Sequence, residues 1–236
     1  MSIPLLLLIL GIVGGVGVLF WWLIFATEGV YLGRRVVIWL YDIYARRYDN
    51  IKNFEPLWES EMLSQPIISA LENIRNPHVL DVATGTARLP LLLHADSMFR
   101  GRVVGLDASR EMIKVGCEKF AQRTPHNRGQ FCLLQADALH LPFPDASFHV
   151  VSCLEALEFL PDQMRALHEI VRVTRPGGLI LLTNRKGRAA RLMPGRTQPS
   201  EKRLEELRTQ FGLIEVSAEV WQIEYDLIWA IKPYNL

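Results

Sequence analysis

A chain of 236 residues, half of them hydrophobic, holds one domain with a full core plus an appendage and is too short for two large domains. Its formal net charge of +1 lacks the basic excess of a nucleic-acid-binding surface, so no nucleic-acid partner is expected. The three cysteines, Cys117, Cys132 and Cys153, make no CxxC pair; this excludes a disulfide framework and a zinc knuckle, and reads as three buried small apolar residues in a reducing compartment.

The apolar excess is local. From Ile3 to Ala26 no residue is charged, and the first charged side chain is Glu28. Roughly 20 apolar residues cross a bilayer as a helix, so residues 1–28 read as a single transmembrane anchor, with Trp21 and Trp22 near its interfacial end. The start MSIPLLLL offers no basic side chain for a cleaved signal peptide. Arg34, Arg35, Arg46 and Arg47 follow the span closely, which by the positive-inside rule places the C-terminal domain in the cytoplasm. Gly11 and Gly15 have GxxxG spacing, a face on which two copies can pack as a homodimer.

Residues 29–60 form an amphipathic linker or lid. In RRVVIWLYDIYARRYDN, Val36, Val37, Leu40 and Tyr44 recur at helical spacing with Arg and Asp between them. Such a helix lies at a membrane surface or packs on the domain that follows; its tyrosines, Tyr41, Tyr44 and Tyr48, are residue types that pack more often than they touch ligands.

Over residues 61–236 apolar strand-like runs alternate with helical stretches. Strands are expected at His78–Val82, Arg102–Asp107, Gln130–Gln135, His149–Leu154 and Gly178–Thr183, with helices at Ser109–Gln122 and Asp162–Val173. This is the pattern of a mostly parallel sheet covered on both faces. Pro176 and the two glycines after it stop the second helix. Leu213–Ile223 and Tyr225–Ile231 are two β-rich runs almost in contact, an antiparallel hairpin at the sheet edge. Between, Asn184 to Arg203 carries seven Lys or Arg against one Glu; it is either a solvated charged loop or a surface drawn to anionic lipid heads or an acidic substrate.

Cofactors of open α/β sheets sit outside the carboxyl ends of the strands, and three acids fall there: Asp81, Asp107 and Asp137. An acid closing the second strand suits ribose hydroxyls, and one beyond the third suits an adenine amino group. Asp81, at the mouth of the turn VATGTA, would repel a pyrophosphate and attract an ammonium. A dinucleotide loop needs GxGxxG; here Gly85 stands alone between Ala83 and Ala87. A cofactor without phosphate and cationic at one end, such as S-adenosylmethionine, fits best.

DVATGTA resembles the D-x-G-x-G-x-G loop of class I S-adenosylmethionine-dependent methyltransferases, with alanine at both outer glycines. The resemblance runs through VVGLDAS and QADALHLPFPDASFHVVSCLEALEFLPD to HEIVRVTRPGGLILLTN, and is greatest to the small-molecule, lipid or quinone branch. It implies a Rossmann-like fold, a mostly parallel seven-stranded sheet with a C-terminal antiparallel hairpin, preceded here by the transmembrane helix. It further implies that Asp81, Ala83 and Gly85 surround the methionine portion and that Asp107 holds the ribose. Ala108 and Met112 would flank the adenine, Asp137 and Ala138 would meet its amino edge, Cys153 and Leu154 would face the methyl donor, and Tyr48 would belong to a lid. Many relatives carry a His pair where this chain has Glu158 and Phe159.

A sulfonium is already activated, so such a protein mainly aligns a nucleophile with the methyl group. Glu155 and Glu158 are the carboxylates available as a general base, and neither a metal nor a covalent intermediate is expected. The anchor and the basic segment favour a small hydrophobic or lipid-like acceptor: a quinol precursor, a phospholipid head group, or a hydrophobic phenol or thiol. The competing readings are an inactive scaffold on the membrane and, further off, a nicotinamide-dependent oxidoreductase.

Overall fold

The computed structural model describes residues 3–52, 54–123 and 131–235. The apolar segment forms α1 (Ile3–Trp21), every residue of which is exposed, and continues as a wider helical turn, Trp22–Ala26. Together they make one helix of mean hydropathy 2.7, long and apolar enough to cross a membrane. After a short turn, α2 (Arg34–Tyr44) follows, then single helical turns as far as Lys52, so the expected lid is helical in pieces. The domain adds α3 (Gln65–Leu71), α4 (Arg88–Ala95), α5 (Arg110–Arg123) and α6 (Gln163–Val173). Near the C-terminus come the short α7 (Gly187–Arg191) and α8 (Ser200–Thr209).

Seven strands form one sheet: β1 (His78–Val82), β2 (Arg102–Asp107), β3 (Phe131–Gln135), β4 (Phe148–Cys153), β5 (Thr174–Arg185), β6 (Ile214–Val220) and β7 (Tyr225–Ile231). Their order is β3-β2-β1-β4-β5-β7-β6. The first five pair in parallel, and β7 runs antiparallel between β5 and β6. Central strands such as β1 are apolar on both faces because helices cover both. Leu80, Val82 and Val151 pack against Leu167 and Ile170 of α6 on one face. Val79, Val103 and Val150 pack against Ile67 of α3 and Leu89 and Leu93 of α4 on the other.

Two expectations need correction. Pro176 does not merely end a helix: β5 begins at Thr174 and runs through it, with Gly177 in the left-handed region at φ +74° and an irregular register against β4. That is where a strand tolerates a missing N–H. Of the three cysteines only Cys153 is buried; Cys132 lies on the edge strand β3 and Cys117 on α5, both exposed. The expected start of β3 at Gln130 lies outside the described residues.

The order reverses between β1 and β4, since the chain leaves β1 toward β2 and returns from β3 to the opposite flank. A crevice opens at the carboxyl ends of such a pair.

Candidate cofactor cleft

The crevice is a partly open cleft between the turn after β1, the ends of β2 and β4, and α2. Its floor is the turn after β1. Ala83, Gly85 and Ala87 all adopt left-handed backbone, with φ of +56°, +55° and +66°. The alternating geometry that glycine would supply is therefore kept by alanines, at roughly 1–2 kcal/mol each. Packing offsets part of that at Ala87, which is fully buried against Leu91 and Phe120. Thr84 N–H donates to the carbonyl of Leu106 at 2.9 Å, and Thr86 Oγ1 donates to Asp49 at 2.6 Å, so both neighbouring elements hold the turn.

Asp107 closes β2 and accepts backbone N–H bonds from Gly85 (2.9 Å) and Ser109 (2.8 Å). Burial pushes its carboxyl up, and these amide bonds oppose the shift. Each oxygen keeps a lone pair to accept from a diol. Asp137 follows β3; one oxygen accepts from Leu139 N–H at 3.0 Å and the other meets the Arg34 guanidinium at 2.7 Å.

The roof is α2. Arg34, Val37, Ile38 and Tyr41 line the cleft, and Tyr48 joins them from the next turn, its ring 3.5 Å from the place of a methyl group on Gly85. Asp42 clamps the roof to α5 by accepting from Ser109 Oγ at 2.5 Å and from Glu111 N–H at 3.2 Å. Leu154, Ala156, Phe159, Leu160 and Pro161 form an apolar wall beyond β4.

The cleft thus gathers eight of the eleven residues expected at the cofactor, Tyr48, Ala83, Gly85, Asp107, Ala108, Asp137, Ala138 and Leu154, together with Glu155. Asp81, Met112 and Cys153 are not among its lining residues. Asp81 sits behind the turn, 3% exposed, accepting from Thr84 Oγ1 (2.6 Å) and Ser152 Oγ (2.7 Å); burial raises its carboxyl to about 6. Met112 is fully buried in α5, and Cys153 points into the core because alternation along β4 leaves Leu154 to face the cleft. Burial pushes the Cys153 thiol well up.

Neither carboxylate considered as a base is free. Glu155 holds left-handed backbone at φ +51° and meets Lys52 Nζ and an Arg88 nitrogen at 2.7 Å each. Burial alone would raise its carboxyl, but those two cations more than offset it and leave it below the usual value. Arg88 also pairs with buried Glu59 and lies between the rings of Phe54 (3.9 Å) and Trp221 (4.7 Å). Glu158 faces away from the cleft and accepts from Tyr225 Oη at 2.5 Å; burial raises its carboxyl.

Sequence reasoning missed Arg34, Ile38, Ser109 and the wall from Phe159 to Pro161. The spacing of Val37 and Tyr41 marked an inner face of α2, but periodicity does not tell whether that face covers core or cofactor.

The charge balance decides what this cleft suits. Of its lining carboxylates, Asp137 is paired with Arg34 and Glu155 with Lys52 and Arg88, which leaves Asp107 without a cationic partner among the described residues. Asp107 would repel a pyrophosphate, whereas a ribose diol would meet an acceptor there. Among the described residues no cluster of His, Cys, Asp or Glu is placed to hold a metal.

Residues 80–182 match the methyltransferase domain family. The chain is 33% identical over 142 residues to a demethylmenaquinone methyltransferase of Lactiplantibacillus plantarum, covering 60% of this chain and 59% of that protein. It is 40% identical over 104 residues to the protein of the same name from Listeria monocytogenes, covering 44% and 43%. The chain therefore spans between about two fifths and three fifths of these relatives. In fold it is similar to the crystal structure of a putative S-adenosylmethionine-dependent methyltransferase from Methanococcus maripaludis, with a TM-score of 0.57 and 17% identity over 81% of this chain and 93% of that one.

Proposed function

We propose that this protein, whose residues 80–182 match the methyltransferase domain family, transfers a methyl group from S-adenosylmethionine to a small hydrophobic or lipid-like acceptor at a membrane. The observation that carries the reading is the phosphate-averse cleft at the β1/β4 switch point, with Asp107 and Asp137 at the ends of successive strands. A quinol precursor is the favoured acceptor, since the relatives matched by the methyltransferase core are named for demethylmenaquinone. A phospholipid head group and a hydrophobic phenol or thiol follow it.

S-adenosylmethionine supplies an activated methyl on a sulfonium. The protein's part is to bind and orient. Asp107 would accept from the ribose hydroxyls, Asp137 from the adenine amino group, and the left-handed turn at Ala83 and Gly85 would leave room for the methionine portion. Asp81, held by Thr84 and Ser152, would attract the ammonium from behind the turn. The roof of α2 and Tyr48 would exclude water. Lys52 and Glu155 neutralise each other, so the acceptor would bring its own nucleophilicity, as an electron-rich reduced ring does. A second cavity beside Glu155, lined by Lys52, Trp58, Gln222 and Ile223, offers that acceptor a route lined in part by exposed apolar side chains.

In this reading α1 is a single-pass anchor, the arginines after it keep the catalytic domain in the cytoplasm, and Gly11 and Gly15, open on the surface of α1, form the face of a homodimer.

Calorimetry of full-length protein with S-adenosylmethionine is expected to show micromolar binding in the wild type and a loss of at least about tenfold in Asp107→Ala, where charge-assisted bonds of about 1.5–3 kcal/mol disappear. Labelled cofactor and a membrane lipid extract should then give a labelled quinone-type product. Binding unaffected in Asp107→Ala would overturn the cofactor assignment, and binding without transfer to any lipid would favour the scaffold.

A further inference from the structure

The apolar helix does not hang from the domain by a loose linker. Trp22 Nε1 donates to the Leu192 carbonyl at 3.0 Å, and Tyr31 Oη donates to the Pro194 carbonyl at 2.7 Å. The two rings stack with centroids 5.0 Å apart. Val30, Val37, Phe159 and Met193 close a small core across this junction, joining the end of the span to α2 and to the residues after α7. The basic segment is thereby held at the level where the span ends.

Within that segment the seven cations divide. Arg185 pairs with Glu224 at 3.2 Å, Lys186 with Asp226, and Arg203 with Glu206. Arg196 donates to the Leu160 carbonyl at 2.8 Å and to that of Val30 at 3.3 Å. These four serve the fold; of the other three, Lys202 lies exposed on α8. Arg188 and Arg191 of α7 are exposed, as is Leu192 beside them, and among the described residues neither arginine has a hydrogen-bond or ion-pair partner. Across the small core, α2 turns Val37 and Leu40 inward and presents Arg35, Trp39 and Ile43 outward at i, i+4 and i+8. Trp39 is 57% and Ile43 55% exposed, far more than helix packing would leave.

Unpaired arginines beside an indole and branched apolar side chains suit one surface, an anionic leaflet. Phosphate head groups meet the cations while the apolar side chains reach the top of the acyl layer. Continuity with the span puts that surface within reach on both sides. We propose that Arg188, Arg191 and Leu192 on one flank, and Arg35, Trp39 and Ile43 on the other, form a collar that rests on anionic lipid around the anchor. The collar fixes the cleft roof, which is the inner face of the same α2, against the membrane. The proposal rests on the reading of Ile3–Ala26 as a span and deepens it.

The test uses full-length protein in nanodiscs of phosphatidylcholine alone or of a phosphatidylcholine–phosphatidylglycerol mixture, read by hydrogen exchange. In the anionic discs, exchange in residues 187–194 and 34–47 should slow about fivefold per engaged arginine, and high salt should abolish the difference. Arg188→Gln with Arg191→Gln should remove the slowing in 187–194; unchanged melting would show the fold intact. Equal exchange in both lipids, or slowing that follows protein concentration instead of lipid charge, would overturn the collar. Failure of the protein to co-elute with discs would instead count against the span, and methylation is not read at all.

Discussion

The guanidinium of Arg34 stands 2.7 Å from the carboxylate of Asp137, joining the cleft's roof to the acid beyond β3. The pair is partly exposed, at 39% and 27%, so its worth is at most about 1 kcal/mol. It nevertheless occupies the acceptor that an adenine amino group would use. Arg34→Ala should therefore tighten cofactor binding two- to fivefold, within that same limit of about 1 kcal/mol. Calorimetry decides it: weaker binding in the variant would make Arg34 a ligand contact instead of a competitor.

Asp81 gives a pH dependence with a definite sign. Burial raises its folded carboxyl to about 6, above its ordinary value. Once ionised, such a group costs stability, a cost absent at low pH and fully present above about 6. Asp81→Asn should thus raise the melting temperature of the ligand-free protein at pH 7 and have little effect at pH 4. A cationic cofactor needs the ionised form, so affinity should fall as pH drops below about 6, approaching tenfold per pH unit. In Asp81→Asn binding should be weaker and flat across this range. A wild-type affinity that is level from pH 7 to 5 would separate Asp81 from the ligand.

The two alanines of the turn should differ. Ala83, partly exposed at φ +56°, gains backbone freedom as glycine, and Ala83→Gly should stabilise by up to about 1 kcal/mol. Ala87 has similar strain, but its methyl is buried and worth about 0.8 kcal/mol. Ala87→Gly should be close to neutral. Urea unfolding of both variants checks the contrast, which fails if both shift equally.

Arg88 neutralises two buried acids at once. Arg88→Ala leaves Glu59 and Glu155 without it, and breaking a buried pair in this way costs about 3–5 kcal/mol. The expected result is a large loss of unfolding free energy at neutral pH. A loss below 1 kcal/mol would show that Lys52 alone balances Glu155.

The order of elements was legible because each strand is a short apolar run with its own stop. Tyr225–Ile231 was bounded to the residue, and Asp162 caps α6 by accepting from Arg165 N–H at 2.9 Å. β5 was read four residues short at its start, because a Pro–Gly–Gly run looks like a terminator when its bulged register against β4 is unseen. Cys117 and Cys132 read as buried because residue type reports average burial; their exposure follows from an edge strand and the outer side of a helix. Glu155 and Glu158 looked equivalent, three residues apart after one strand. Folding sends one to Lys52 and Arg88 and the other to Tyr225.

By itself the sequence determined the long apolar helix, the alternation that builds a parallel sheet, and the acids that end successive strands, since each depends only on local spacing and side-chain chemistry. Only the tertiary structure decided which acids remain available to a ligand. It brought Arg34 to Asp137, shut Asp81 behind the turn, tied up both glutamates, and left Arg188 and Arg191 without a partner among the described residues, beside the end of the apolar helix. Those outcomes depend on partners distant in the chain, and which charges find one another is set by packing, which no short stretch records.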